Sequence, residues 1–188
     1  MIRRIVIPAL ALLLLFIFCS SGFAGRNEAE NLGEEGSKAT EAKRYPEAIR
    51  LFERSLALCG NDVDCRWANL NGLGVVYDAL DQNERARSYY EQALQMSRRR
   101  NNPEDLANDL LNLGALLYKG LEQHQRALPL LEESLKLYRQ VRKDDETALL
   151  LFHTGTVKTV LGRYPEAIRD LQESLGINRR LRNNAGIS

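Results

Sequence analysis

The thiols Cys59 and Cys65 and the imidazoles His124 and His153 have the most chemistry to offer in this chain, and their spacing limits what they can do. Cys59-Gly-Asn-Asp-Val-Asp-Cys65 is a polar turn with a thiol at each end. In an oxidising compartment the pair closes as a disulfide, a clamp contributing about 2 kcal/mol through the loop entropy it removes. Free thiols are one alternative and zinc a second, although no ligand spacing joins the two sulfurs to the two distant histidines. The acidic pairs Glu132-Glu133 and Asp144-Asp145 fall beside helix ends or on exposed faces, where they cap and solubilise rather than converge on a substrate. No phosphate loop, nucleophile elbow, HExxH or paired Cys-x-x-Cys motif is visible. The expectation is a chain without catalytic residues, metal or cofactor, and not an enzyme.

The strongest pattern is instead a heptapeptide, Arg44-Tyr-Pro-Glu-Ala-Ile-Arg50, which recurs unchanged at Arg163–Arg169. Aligning the copies makes Ala48 and Ala167 equivalent, and similar segments between them add Ala86 and Ala127, at spacings of 38, 41 and 40 residues. Four residues beyond each alanine stands a large apolar side chain (Phe52, Tyr90, Leu131, Leu171). Three further on is a small one (Ser55, Ala93, Ser134, Ser174). Steps of four and three place these on one helical face. Upstream, Gly36, Gly74, Gly114 and Gly155 precede the alanines by 12 or 13 residues, with leucines at helical spacing. A glycine inside a helix costs about 1 kcal/mol against alanine, so four in register imply a repeated reason, the close approach of a neighbouring helix. The unit is therefore a helical hairpin occurring four times, over about 27–60, 62–101, 103–143 and 145–182.

The punctuation agrees. Asp62 or Asp64 can cap the helix containing Trp67, and Asn102-Pro103-Glu104 supplies a cap, a first-turn proline and an acid. Pro46 and Pro165 begin second helices, whereas Pro129 lies inside one and removes a backbone hydrogen bond. Arg98–Arg100 and Arg179, Arg180 and Arg182 read as solvated helix ends rather than nucleic-acid contacts.

The first 24 residues stand apart. Arg3 and Arg4, the apolar run 5–18 and a Gly22-Phe23-Ala24 ending predict a signal peptide over 1–24 and a mature chain over 25–188. Fourteen apolar residues fall short of the ~20 needed to span a bilayer, so an uncleaved anchor is the alternative; lipidation at Cys19 conflicts with the bulky Phe16-Ile17-Phe18 before it. The predicted location is exported, periplasmic or secreted. The whole chain carries 26 basic and 25 acidic residues. Removing Arg3 and Arg4 leaves a near-neutral, evenly mixed balance, which gives no electrostatic case for nucleic acid or an anionic membrane.

Trp67, Leu70, Leu73-Gly74 and Tyr77, followed by Ala86, Tyr90 and Ala93, resemble the tetratricopeptide repeat signature. The third unit keeps Leu110, Leu113-Gly114, Ala127, Leu131 and Ser134 with one residue inserted near Gly120. The fourth keeps Leu151, Gly155, Ala167, Leu171 and Ser174, with Lys158 in place of the aromatic. The period, longer than 34 residues, is similar to that of kinesin light chains and of bacterial proteins carrying a CHAT domain after their repeats. The resemblance implies an all-α, right-handed superhelical solenoid whose inner groove, lined by the first helix of each hairpin, binds a protein or peptide. Residues placed by that resemblance on the groove are Asn71, Asp78, Asn108, Asn112, Tyr118, Phe152 and His153, with Asn112 at the position of the family's groove asparagine. Gly72 and His153 occupy its equivalents, so no asparagine ladder forms.

The functional expectation is a non-catalytic protein-binding scaffold of an exported bacterial protein. The alternatives are a sensing module of a larger CHAT-type hydrolase and a self-associating envelope protein. No appended capping helix follows the fourth hairpin, so the expectation is that the sequence is a fragment or that its end is covered by another chain.

Overall fold

A computed structural model describes the backbone of residues 9–185 and the side chains of residues 25–182. Residues 1–8 of the expected signal peptide lie outside the described residues. Among the described residues there are eight α-helices and no strand: α1 (Ala9–Glu41), α2 (Tyr45–Leu58), α3 (Val63–Ala79), α4 (Asn83–Ser97), α5 (Pro103–Lys119), α6 (His124–Gln140), α7 (Asp144–Val160) and α8 (Tyr164–Ala185). The fold is an all-α helical repeat. No helix among the described residues is long and apolar enough to cross a membrane. The chain divides into two compact units, with the boundary between Gly72 and Leu73 inside α3.

In the first unit α1 and α2 form a hairpin whose centre is Phe52. A Cβ on Gly36 would stand 2.8 Å from the Phe52 ring, and one on Gly72 would stand 2.5 Å from it. Both glycines are therefore holes for one aromatic side chain. Ser55 donates its hydroxyl to the carbonyl of Ala29 at 2.6 Å, tying α2 to α1.

The second unit repeats the design. Gly74 makes room for Tyr90, Gly114 for Leu131 and Gly155 for Leu171, with hypothetical Cβ distances of 2.5 to 2.7 Å. Ser134 donates to the carbonyl of Ala107 and Ser174 to that of Ala148, each at 2.7 Å. The close approach expected from the glycine register is thus an approach of the large side chain placed four residues after the alanine. The small residue three positions later is a buried hydroxyl in three hairpins, because a carbonyl of the first helix lies opposite it.

The turns explain the heptapeptide. Lys43, Asp81, Glu122 and Gly162, each five residues before a register alanine, adopt positive φ of 53° to 74°. The next N–H then closes the helix end: Arg44 donates to Ala39 O at 2.8 Å, Gln82 to Tyr77 O at 2.9 Å and Arg163 to Lys158 O at 2.8 Å. In the third hairpin Gln123 reaches back to Leu117 O at 2.7 Å, one residue further, which absorbs the insertion near Gly120. Each second helix then opens with a side-chain pair three residues apart. Arg44 meets Glu47 at 2.8 Å, and Arg163 meets Glu166 at 2.8 Å. In the two divergent hairpins the polarity is reversed, with Arg85 on Gln82 at 3.0 Å and Arg126 on Gln123 at 2.5 Å.

Of the two candidate caps, Asp62 caps α3, accepting from the N–H of Asp64 and of Cys65 at 3.0 Å. Asn102 caps α5 through Glu104 N–H at 3.0 Å and Asp105 N–H at 3.3 Å. α6 runs through Pro129 without interruption. Pro129 is exposed, and water can satisfy the carbonyl left without a helical donor.

Candidate protein-binding face

The residues expected on the groove lie on first helices, and their surroundings differ sharply. In the second unit Asn108 and Asn112 lie on α5, Phe152 and His153 on α7, and Asp78 on the last turn of α3. Phe152 is 52% exposed, far more than a ring of that size has reason to be. Asn112 is half-buried, and the exposed Asn108 accepts a hydrogen bond from the hydroxyl of Tyr138. Tyr118 and His153, by contrast, are only 8% and 5% exposed. Their polar atoms meet each other, the Tyr118 hydroxyl and His153 Nδ1 standing 2.6 Å apart. The pair joins α5 to α7 beneath the accessible face. The Phe152 and His153 rings meet edge to face, with 5.9 Å between ring centres.

Burial sets the electrostatics of this pair. It pushes the His153 imidazolium down to about 4, with the positive charge of Lys119 acting in the same direction. Burial also raises the Tyr118 hydroxyl to about 12. Both are neutral at ordinary pH, which suits a structural hydrogen bond rather than proton transfer. Lys119 lies 5.5 Å from the centre of the Tyr118 ring. The Asp78 carboxyl is raised, first by burial, with Lys119 opposing and Asp81 adding to the shift.

Asn71 belongs to the first unit. Its amide nitrogen donates to Trp67 O at 3.4 Å. Nearby, Cys59 and Cys65 form a disulfide with 5.6 Å between their Cα atoms, joining the end of α2 to the first turn of α3. The buried Asn69 amide donates to Cys65 O at 2.8 Å and stands 3.4 Å from the Cys59 sulfur. A cleft of about 380 Å³ opens beside it between α1 and α3, edged by Arg26, Glu30, Glu34 and Asp62. Arg26 bridges that edge, with Asp62 at 2.9 Å and Glu30 at 3.2 Å. Among the described residues no group of three or more His, Cys, Asp or Glu side chains could hold a metal ion.

The family model described as tetratricopeptide repeat matches residues 39–99 and 105–180, most of the chain. The chain belongs to the tetratricopeptide repeat family. No curated protein matches it in sequence. Among solved structures this tetratricopeptide chain is similar to BtubC (BKLC) from P. vanneervenii, at 18% identity and TM-score 0.69, covering 86% of this chain and 72% of that one. It is also similar to nearly identical, TPR-like repeats assigned to a kinesin light chain of Podosopora anserina, at 18% identity and TM-score 0.67, covering 82% and 76%. A third is a Rap protein complexed with competence and sporulation factor, at 13% identity and TM-score 0.73, where 85% of this chain spans only 45% of that protein. Identities this low establish a shared fold alone.

Two features of the tetratricopeptide units escaped the sequence reading. Lys119, whose charge acts on both His153 and Asp78, carries no register signal. Lys158, noted only as replacing an aromatic, is buried; it pairs with Asp170 at 2.7 Å and Glu132 at 3.3 Å, while the Thr154 hydroxyl also donates to Asp170 at 2.8 Å. The buried ammonium group is paired with two carboxylates, one from each flanking helix. A lysine in an apolar register was the available signal.

Proposed function

We propose that this chain is a non-catalytic scaffold, exported from a bacterial cell, that binds a protein or peptide through the accessible side of its first helices. The tetratricopeptide fold is consistent with a protein-binding role. The observation that carries the choice of face is Phe152, half exposed on α7 next to the buried His153, with the half-buried Asn112 on α5, the helix that the Tyr118–His153 bond joins to α7. An exposed aromatic on one first helix and an amide on the other supply the two halves of peptide recognition: apolar area, and hydrogen bonds to an extended backbone. The neutral, locked pair below fixes the spacing of the two helices, so little ordering cost falls on binding. The Rap relative, solved with competence and sporulation factor, supports the reading for this fold.

The test is a pull-down from envelope extract with wild type and an Asn112→Ala, Phe152→Ala double variant. Loss of a specific partner by the variant, with unchanged helicity, is expected; equal recovery by both overturns the face. Export is read separately from the N-terminal residue of the protein recovered from envelopes. Gly25 is expected, and an intact Met1 segment contradicts cleavage.

A further inference from the structure

The second helices of the second unit allow an internal comparison. In α6, Leu128, Leu131 and Leu135 are 5%, 0% and 7% exposed, and α7 packs against that helix. The equivalent residues of α8, Ile168, Leu171 and Leu175, are 54%, 36% and 50% exposed, and Tyr164 one turn earlier is 60% exposed. Chemistry and register are the same, yet among the described residues no helix covers the α8 seam. Steps of four, three and four from Tyr164 to Leu175 are those of a two-stranded helical seam.

We infer that α8 pairs with α8 of a second copy of this chain, antiparallel and about a twofold axis. The alternative within the repeat logic is head-to-tail stacking, with α1 of one copy on α8 of the next. The residues just before and two after the register glycine are buried in the later first helices, as Leu113 and Leu116 in α5 and Thr154 and Val157 in α7. In α1 these positions are Glu35 and Lys38, both exposed. Seating α1 on α8 would bury Glu35 and Lys38 against leucines, and even as an i, i+3 pair the two charges would lose hydration that an apolar seam does not return. An apolar seam of matching length and spacing is available on a second α8. Pairing about a point between Arg169 and Asp170 sets Tyr164 opposite the partner subunit's Leu175, and Ile168 opposite the partner subunit's Leu171. This is the self-complementary pattern a twofold contact requires. Asn178 and Arg182 continue the register with polar side chains and end the seam after about three turns. So short a contact buries less than the ~800 Å² per partner of stable complexes. The dimer is therefore weak and concentration-dependent.

Sedimentation velocity of the mature chain from Gly25 over a range of concentrations tests this. A monomer–dimer equilibrium is expected, with Ile168→Glu and Leu175→Glu each shifting the dimer midpoint at least tenfold upward. Thermal melting checks that these exposed substitutions leave the fold intact, and Glu35→Ala should leave the equilibrium unchanged. A monomer at every concentration overturns the inference, as does a dimer that Ile168→Glu leaves intact. Growth beyond the dimer would show head-to-tail stacking and overturn the twofold pairing. A seam occupied by another protein or by continuing chain would appear as a monomer protected over α8, and would equally overturn it.

Discussion

His153 is the residue at which the fold and the candidate face meet. Its imidazole is buried, hydrogen-bonded to Tyr118 and held neutral down to about 4. In the unfolded chain the same group titrates near 6.5. The folded state therefore binds fewer protons between these values, and stability falls as pH drops from about 6.5 towards 4. The ring is not wholly cut off from solvent, so the loss is on the order of 1–2 kcal/mol rather than the full linkage. Chemical denaturation at pH 7 and pH 4.5 should show it, and His153→Gln should flatten that part of the profile; an unchanged slope in the variant would contradict the assignment. A second residue-scale prediction concerns Glu122, whose φ is 53° where the fourth hairpin has Gly162 at 74°. Left-handed backbone costs a side chain about 1 kcal/mol, so Glu122→Gly should stabilise by a few tenths to 1 kcal/mol, measurable as a raised denaturation midpoint.

Between elements, the same substitution should have opposite signs at two glycines. Gly114 faces Leu131, with a hypothetical Cβ at 2.7 Å, whereas Gly176 in α8 has nothing within 4 Å. Alanine at Gly176 should recover the helix propensity, about 0.5–1 kcal/mol. At Gly114 overpacking outweighs that gain, for a net loss of about 1–2 kcal/mol. Combining Gly114→Ala with Leu131→Val should recover part of it, because the pair shares one space. Additive effects in a double-mutant cycle would contradict the pairing. The clamp between α2 and α3 acts at the same scale: Cys59→Ser with Cys65→Ser should cost about 2 kcal/mol, read as a lower melting temperature that reductant no longer changes.

At the scale of the whole molecule, the helix count, the hairpin turns and the glycine register were legible because each repeats, and repetition separates a pattern from chance. Gly36, Gly74, Gly114 and Gly155 announced that space was needed, and Phe52, Tyr90, Leu131 and Leu171 were already marked as large. The candidate face was less legible. Whether Tyr118 and His153 point to solvent or to each other depends on how α5 sits against α7, which no periodicity within one helix encodes. Phe152 differs for the same reason: one residue from His153 on the same helix, it faces out while its neighbour faces in. The proposed scaffold role makes its most direct prediction in hydrogen exchange across the chain, free and bound to the partner recovered from envelope extract. Protection should concentrate on the first helices α5 and α7 around Asn112 and Phe152, leaving α6 unchanged. Protection of α6 with none on α5 and α7 would contradict the account.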